Sequence, residues 1–282
     1  MTTGRWRGAL TMGLVMVVGV VAFGWPFLAT SGSELDQLGH SGDASLVFVA
    51  LMALLALVLL AELGSGGMDA KTVAVLGVLA AAGGALRVLS AGTAGLEPMF
   101  FLLVIAGRVL GPTKAFLLGA LALLTSAFLT AGVGPWTPFQ MLSCGWVAMG
   151  AALLPRVIVR SERWLLTAYG LVAGLAYGAV MNLWFWPFLG SSAPSGAGFT
   201  PGAAATANLQ HYAVFYLATS LAWDLPRGVL TAVLTWVAAP PLLRALRRSL
   251  RQARFEAPVA FAPPHSPIAA STLSAPPASP LR

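Results

Sequence analysis

Long apolar runs, separated by short breaks that are polar or rich in glycine and proline, set the pattern of this chain. Runs at about 10–28, 45–63, 72–90, 97–110, 113–131, 137–154 and 164–189 each predict a helix. An eighth is approached through Asn208, Gln210, His211 and Tyr212 and runs toward Pro240-Pro241. A helix needs ~20 apolar residues to cross a hydrocarbon core ~30 Å thick, and most of these runs supply them. Transmembrane strands would instead alternate apolar and polar residues in segments of ~10. The expected fold class is therefore all-α, a polytopic membrane protein of about eight transmembrane helices. The run at 97–110 is short for a span, as helices that help to enclose a cavity often are.

The sharpest break is Gly132-Val133-Gly134-Pro135-Trp136-Thr137-Pro138-Phe139-Gln140-Met141. Its prolines fix φ and remove two backbone donors while its glycines allow positive φ, so neither flanking helix can run through it. Trp136, an apolar body with one N–H donor, suits a membrane-water boundary or the rim of a pocket, and Gln140 sits one turn inside the next helix. An interfacial turn anchored by Trp136 is the alternative to a ligand-binding elbow.

Charge orients the runs. The segment at 30–44 holds Glu34, Asp36, His40 and Asp43 with no Lys or Arg, whereas Arg156, Arg160 and Arg163 crowd the break after the sixth run. Of the 16 Lys and Arg residues, all but Arg87 and Arg227 fall at or near one face, which satisfies the positive-inside rule if both termini are cytoplasmic. Arg5 and Arg7 ahead of the first run also give it the layout of a signal peptide, but Trp25-Pro26-Phe27 makes a poor cleavage region and a retained helix is expected. After Pro240-Pro241, Arg244, Arg247, Arg248, Arg251 and Arg254 form a basic amphipathic stretch suited to an anionic leaflet, and 256–282 reads as a disordered Pro/Ala-rich tail.

Composition agrees with the pattern: 58% of the residues are hydrophobic and 9% charged, where a soluble domain carries about a quarter charged. The net charge of +7 is loop charge, not a nucleic-acid footprint. Ions and amides within the runs are then the informative residues, because each needs a partner or a polar cavity. Arg87 has Glu97 as its nearest acid in sequence. Asn182 precedes Trp184 and Trp186, of which at most one can share its face. Asp224 and Arg227, three apart on one helical face, predict an intramembrane ion pair beside a kink at Pro226. In the third run Gly77, Ala81 and Ala85 form a small-residue stripe that lets another helix approach closely, by internal packing or from a partner.

Enzyme chemistry has little to stand on. The nine acids are scattered, the three histidines fall in an acidic loop, a helix start and the tail, and there is no His-Glu-x-x-His or phosphate-binding Gly-x-x-x-x-Gly-Lys-Ser/Thr motif. No cofactor and no metal site is expected, and any pumping draws energy from a partner or an ion gradient.

Five stretches together resemble one family: Leu79 to Arg87; Gly107 to Pro112; the elbow from Gly134 to Met141; Met181-Asn182-Leu183-Trp184-Phe185-Trp186-Pro187; and Thr219 to Arg227. Over about 71–254 the chain is similar to the substrate-binding S component of energy-coupling factor (ECF) vitamin transporters. The likeness is to the actinobacterial type with two extra N-terminal helices, and within it to members assigned to cobalamin. The resemblance implies two N-terminal helices over 1–70, a six-helix core over 71–243 and a basic segment with tail over 244–282. It implies a non-enzymatic plasma-membrane subunit that binds a small-molecule vitamin beneath the loop at 91–96. Its partners would be a transmembrane T component, docked on small residues of the first core helix, and two cytoplasmic ATPases. On this reading Trp136 and Trp186 wall the ligand; Gln140, Asn182, Glu97 and Arg87 fix its polar edge; and Gly77, Ala81 and Ala85 meet the T component. A proton-coupled carrier with Asp224 or Glu97 as titrating carboxylate, an enzyme of lipid-linked substrates and a structural scaffold are the other classes considered.

Overall fold

The computed structural model describes residues 3–28, 44–64, 68–90, 93–156 and 158–252. The tail at 256–282 and all of the acidic loop except Ala44 lie outside them. Every regular element among the described residues is helical. The helices are α1 Thr3–Leu28, α2 Ala44–Gly64, α3 Ala70–Ser90, α4 Met99–Leu110, α5 Pro112–Leu129, α6 Thr137–Leu153, α7 Val159–Phe185, α8 Ala205–Phe215 and α9 Leu221–Gln252. A π-helical turn, Tyr216–Ser220, joins α8 to α9, so the two form one continuous helix. Among the described residues, six stretches are long and apolar enough to cross a membrane, against the eight expected. The difference lies in α4 and α6, of 12 and 17 residues.

α4 is the centre. Met99, Phe100, Leu103, Val104, Ile105 and Ala106 are all buried, as a helix apolar on every side must be. Around it stand α3, α5, α6, α7 and α9. Close crossings hold this group together: a Cβ at Gly119 of α5 would collide with the Cys144 carbonyl of α6, so the two backbones touch. α1 and α2 pack on each other and lie against the core through Phe23, whose ring meets Phe139 at 5.2 Å and Trp146 at 5.5 Å. Their other faces expose Val17, Val20, Val49 and Leu60, as expected of helices solvated by lipid.

At the end of the bundle remote from the elbow, Glu162 is the buried hub of a second ion cluster. Its Oε1 accepts from Arg108 Nε at 3.0 Å and from Arg247 Nη2 at 2.6 Å, while Arg108 also donates to the Leu154 and Pro155 carbonyls. This ties α4, α6, α7 and α9. The prolines of α9 do not end it. Pro240 has no N–H for the Trp236 carbonyl four residues back, and Arg163 Nε donates to that carbonyl instead at 2.7 Å while lying 3.6 Å over the Trp236 ring. The helix therefore runs on through Arg244, Arg247 and Arg248, and the basic stretch continues α9 rather than starting a separate segment.

Candidate functional site

The elbow forms as its residues require. Gly134 N–H donates to Thr137 Oγ1 at 2.8 Å, the Thr137 N–H donates back to the Gly134 carbonyl at 2.9 Å, and α6 starts there with Pro138 in its first turn. This sets Gln140 at the first turn of α6, facing α7 and α9. On α7, Tyr177, Gly178, Met181 and Asn182 recur at helical spacing along one stripe; on α9 and the π-helical turn before it, Ser220, Trp223, Asp224 and Arg227 do the same. Thr219 Oγ1 donates to the Phe215 carbonyl at 2.7 Å, so the wide turn keeps that carbonyl paired while it aims Ser220 inward. With Glu97 from the segment before α4, these residues line an open cavity of about 250 Å³.

The wall is built on alternating charge. Glu97 is 4% exposed; its Oε1 accepts from Arg87 Nε at 3.3 Å and its Oε2 from Arg227 Nε at 2.7 Å. Arg227 Nη1 also pairs with Asp224 Oδ1, and Arg87 Nη1 donates to the buried Ser126 hydroxyl of α5 at 3.0 Å. Two carboxylates and two guanidiniums thus form a row, Arg87, Glu97, Arg227, Asp224, with no net charge. The Arg227 guanidinium carbon lies 5.2 Å from the Tyr177 ring centroid and 6.0 Å from that of Phe100, which gives the cation aromatic faces in place of water.

Two glycines let the row close. Gly95 has φ +73°, and a Cβ there would run into the Trp223 carbonyl, so only glycine brings the segment carrying Glu97 onto α9. A Cβ at Gly178 would overlap the Asp224 carboxylate, which lies flat against the α7 backbone. Asp224 and Asn182 each have a tyrosine beside them, Tyr216 for Asp224 and Tyr212 for Asn182, and Asp224 Oδ2 and Asn182 Nδ2 are buried.

Of the residues singled out in the sequence, Gln140, Asn182, Glu97, Asp224 and Arg227 are on the cavity wall, and Arg87 stands behind Glu97. Neither Trp136 nor Trp186 is brought there. Trp136 lies at the surface, 39% exposed, donating to the Gly132 carbonyl and meeting the Trp184 ring edge-on. Trp186 is fully buried in a separate cluster with Phe27, Phe199, Tyr212 and Phe215, where its Nε1 donates to the Ala197 carbonyl at 2.7 Å. The sequence reading missed Tyr177, Met181, Ser220 and Trp223. The i, i+3, i+4, i+7 spacing of 220, 223, 224 and 227 was the available signal. Gly77, Ala81 and Ala85 all face outward on α3, and a Cβ at Gly77 would meet nothing within 4 Å.

A family model described as the substrate-specific component of ECF transporters matches residues 71–239. No protein in the curated set and no solved structure matches the chain.

Proposed function

Since the chain belongs to the family of substrate-specific components of ECF transporters, we propose that its polar cavity is the substrate site of a vitamin or related micronutrient importer. Membership makes it a multi-pass membrane subunit that binds substrate for an ECF importer, a transporter subunit rather than an enzyme, partnered by a T component and ATPases. One observation carries the site reading: every residue lining the cavity falls between Glu97 and Arg227, inside the matched region, and seven of the ten have polar side chains.

The finer features follow as parts of the same reading. The two helices ahead of the match support the actinobacterial form, with about eight membrane passes. Cytoplasmic termini in a plasma-membrane protein belong to the same reading, and the placement of Lys and Arg supports that orientation. The domain division at 1–70, 71–243 and 244–282 is retained for function, although α9 passes through the last boundary. Cobalamin is the vitamin that the sequence likeness suggests as substrate.

The test is uptake of radiolabelled vitamins by vesicles that contain this chain with its T component and ATPases. ATP-dependent uptake is expected. Uptake that persists after ATP depletion while a proton gradient remains would replace this reading with a proton-coupled carrier.

Two substitutions probe the surfaces. Gln140→Ala is expected to weaken substrate binding by roughly tenfold, one hydrogen bond's worth, at unchanged unfolding temperature. Equal affinity in a binding titration would take Gln140 out of the site. Ala81→Leu fills the outward stripe, which we assign to the T component with Gly77 and Ala85. It should leave substrate binding intact and reduce co-purification of the T component by about tenfold or more, since overpacking a close helix contact costs ~1–3 kcal/mol. Undiminished co-purification moves the docking face elsewhere.

A further inference from the structure

We infer that Tyr212 is a positioning residue of the substrate site: its hydroxyl fixes the amide of Asn182, and the π-helical turn between α8 and α9 brings it there. This rests on the cavity being the substrate site.

The turn sets the register. Residues of an unbroken α-helix advance by about 100° each, so Tyr212 and Asp224, twelve positions apart, would point about 120° away from each other. The π-helical turn Tyr216–Ser220 takes up one extra residue and removes about 100° of that difference, which leaves the two within about 20° of one direction. Tyr216, one turn after Tyr212, lies about 40° from it. Both tyrosines and Asp224 therefore face α7 together, and their contacts agree. The Tyr212 hydroxyl donates to the Ala179 carbonyl, the Tyr216 hydroxyl lies 3.5 Å from the Leu175 carbonyl, and the Asp224 carboxylate lies against Gly178. Without the extra residue, α8 and α9 could not present these side chains to the same stripe of α7.

The chemistry of the hydroxyl sets the amide. A phenol carries one O–H and two lone pairs. The Tyr212 O–H is committed to the Ala179 carbonyl, so toward Asn182 beside it the oxygen can only accept, and the donor that meets it is the buried Nδ2. The last torsion of an Asn side chain is broad, and holding one end of the amide settles which way the other lies. With Nδ2 turned to Tyr212, Oδ1 is the atom that Asn182 offers to the cavity it lines. Tyr216 is placed likewise beside Asp224, whose Oδ1 pairs with Arg227. Neither tyrosine is on the cavity wall, so Tyr212 acts on a substrate through Asn182.

The experiment uses the full chain in nanodiscs. Cyanocobalamin, riboflavin, thiamin, biotin, pantothenate and nicotinamide are screened for stabilisation of the wild type against thermal unfolding, and whichever stabilises is titrated into the variants. Tyr212→Phe keeps the ring and removes only the hydroxyl, so the variant should fold, and its affinity should fall about three- to tenfold, as the loss of one hydrogen bond does. Asn182→Ala should lower affinity by about as much. The decisive reading is the double variant: if Tyr212 acts through Asn182, Tyr212→Phe adds no further loss once Asn182 is Ala, and the cycle shows a coupling equal to the whole Tyr212→Phe effect. A structural role would give losses that multiply. Multiplying losses, or undiminished affinity in either single variant, overturn the inference and leave the substrate site standing. A wild type stabilised by none of the six compounds takes the site reading down together with the inference.

Discussion

Glu97→Ala is expected to destabilise the protein by about 3–5 kcal/mol, the usual loss when one member of a buried ion pair is removed and its partner is left behind. Glu97 is the only carboxylate that the row places between two guanidiniums: Arg87 at 3.3 Å and Arg227 at 2.7 Å both depend on it. Its loss leaves one uncompensated positive charge among α3, α5 and α9, with Ser126 and Asp224 as the remaining partners. The sign of the effect comes from charge as well as packing, and this can be separated. Glu97→Gln keeps the shape and one acceptor but still leaves the extra charge, so it should be destabilised as well. Combining Glu97→Gln with Arg87→Gln restores neutrality and should recover much of the loss, appearing as a coupling energy in a double-mutant cycle. Thermal unfolding of the detergent-purified variants measures this. A double variant less stable than Glu97→Gln alone by the full Arg87→Gln effect, with no coupling, would mean that the row is not an electrostatic unit.

The row also shows where sequence reasoning carries and where it stops. An ion in an apolar run needs a partner, so Arg87 with Glu97 and Asp224 with Arg227 were readable as two local pairs, ten and three residues apart. That the two pairs are one object depends on the Glu97 to Arg227 bond, which spans 130 residues and follows from the packing of α4 against α9. No periodicity encodes it. The elbow was legible because glycine and proline act through their own backbone. The helices were legible because long apolar runs admit few other structures in a membrane. Proline proved ambiguous in α9: Pro240 removes a donor, which reads as a break, yet Arg163, 73 residues away in the tertiary contact, meets the orphaned carbonyl and the helix continues. Trp186 is off the cavity wall for a local reason. Past Phe185 the chain tightens into the 3₁₀ turn Trp186–Phe188, so the stripe that carries Asn182 into the cavity no longer carries Trp186 with it.

That displaced tryptophan supports the second large effect. Trp186→Ala should cost about 3–5 kcal/mol, as truncation of a fully buried aromatic does. The ring is stacked on Phe27 of α1 at 6.1 Å and 29°, meets Tyr212 of α8 at 5.1 Å and Phe199 at 5.5 Å, and its Nε1 holds the Ala197 carbonyl. Trp25 of α1 reaches the same segment, 5.6 Å from Phe199 and 6.1 Å from Phe188. Removing the indole therefore loosens three things together: the segment 190–204, the C-terminal end of α8 and the end of α1. Faster proteolytic cleavage within 190–204 should accompany the lower unfolding temperature. Trp186→Phe separates this structural role from substrate contact. It retains most of the apolar surface but leaves the Ala197 carbonyl unpaired, a loss of about 1–3 kcal/mol, and because the ring is off the cavity wall the affinity of the folded protein for substrate should not change. A tenfold loss of affinity in Trp186→Phe at wild-type stability would return Trp186 to the ligand. The expected opposite, lower stability at equal affinity, makes the aromatic cluster the joint through which α1 steadies the connection between α7 and α8.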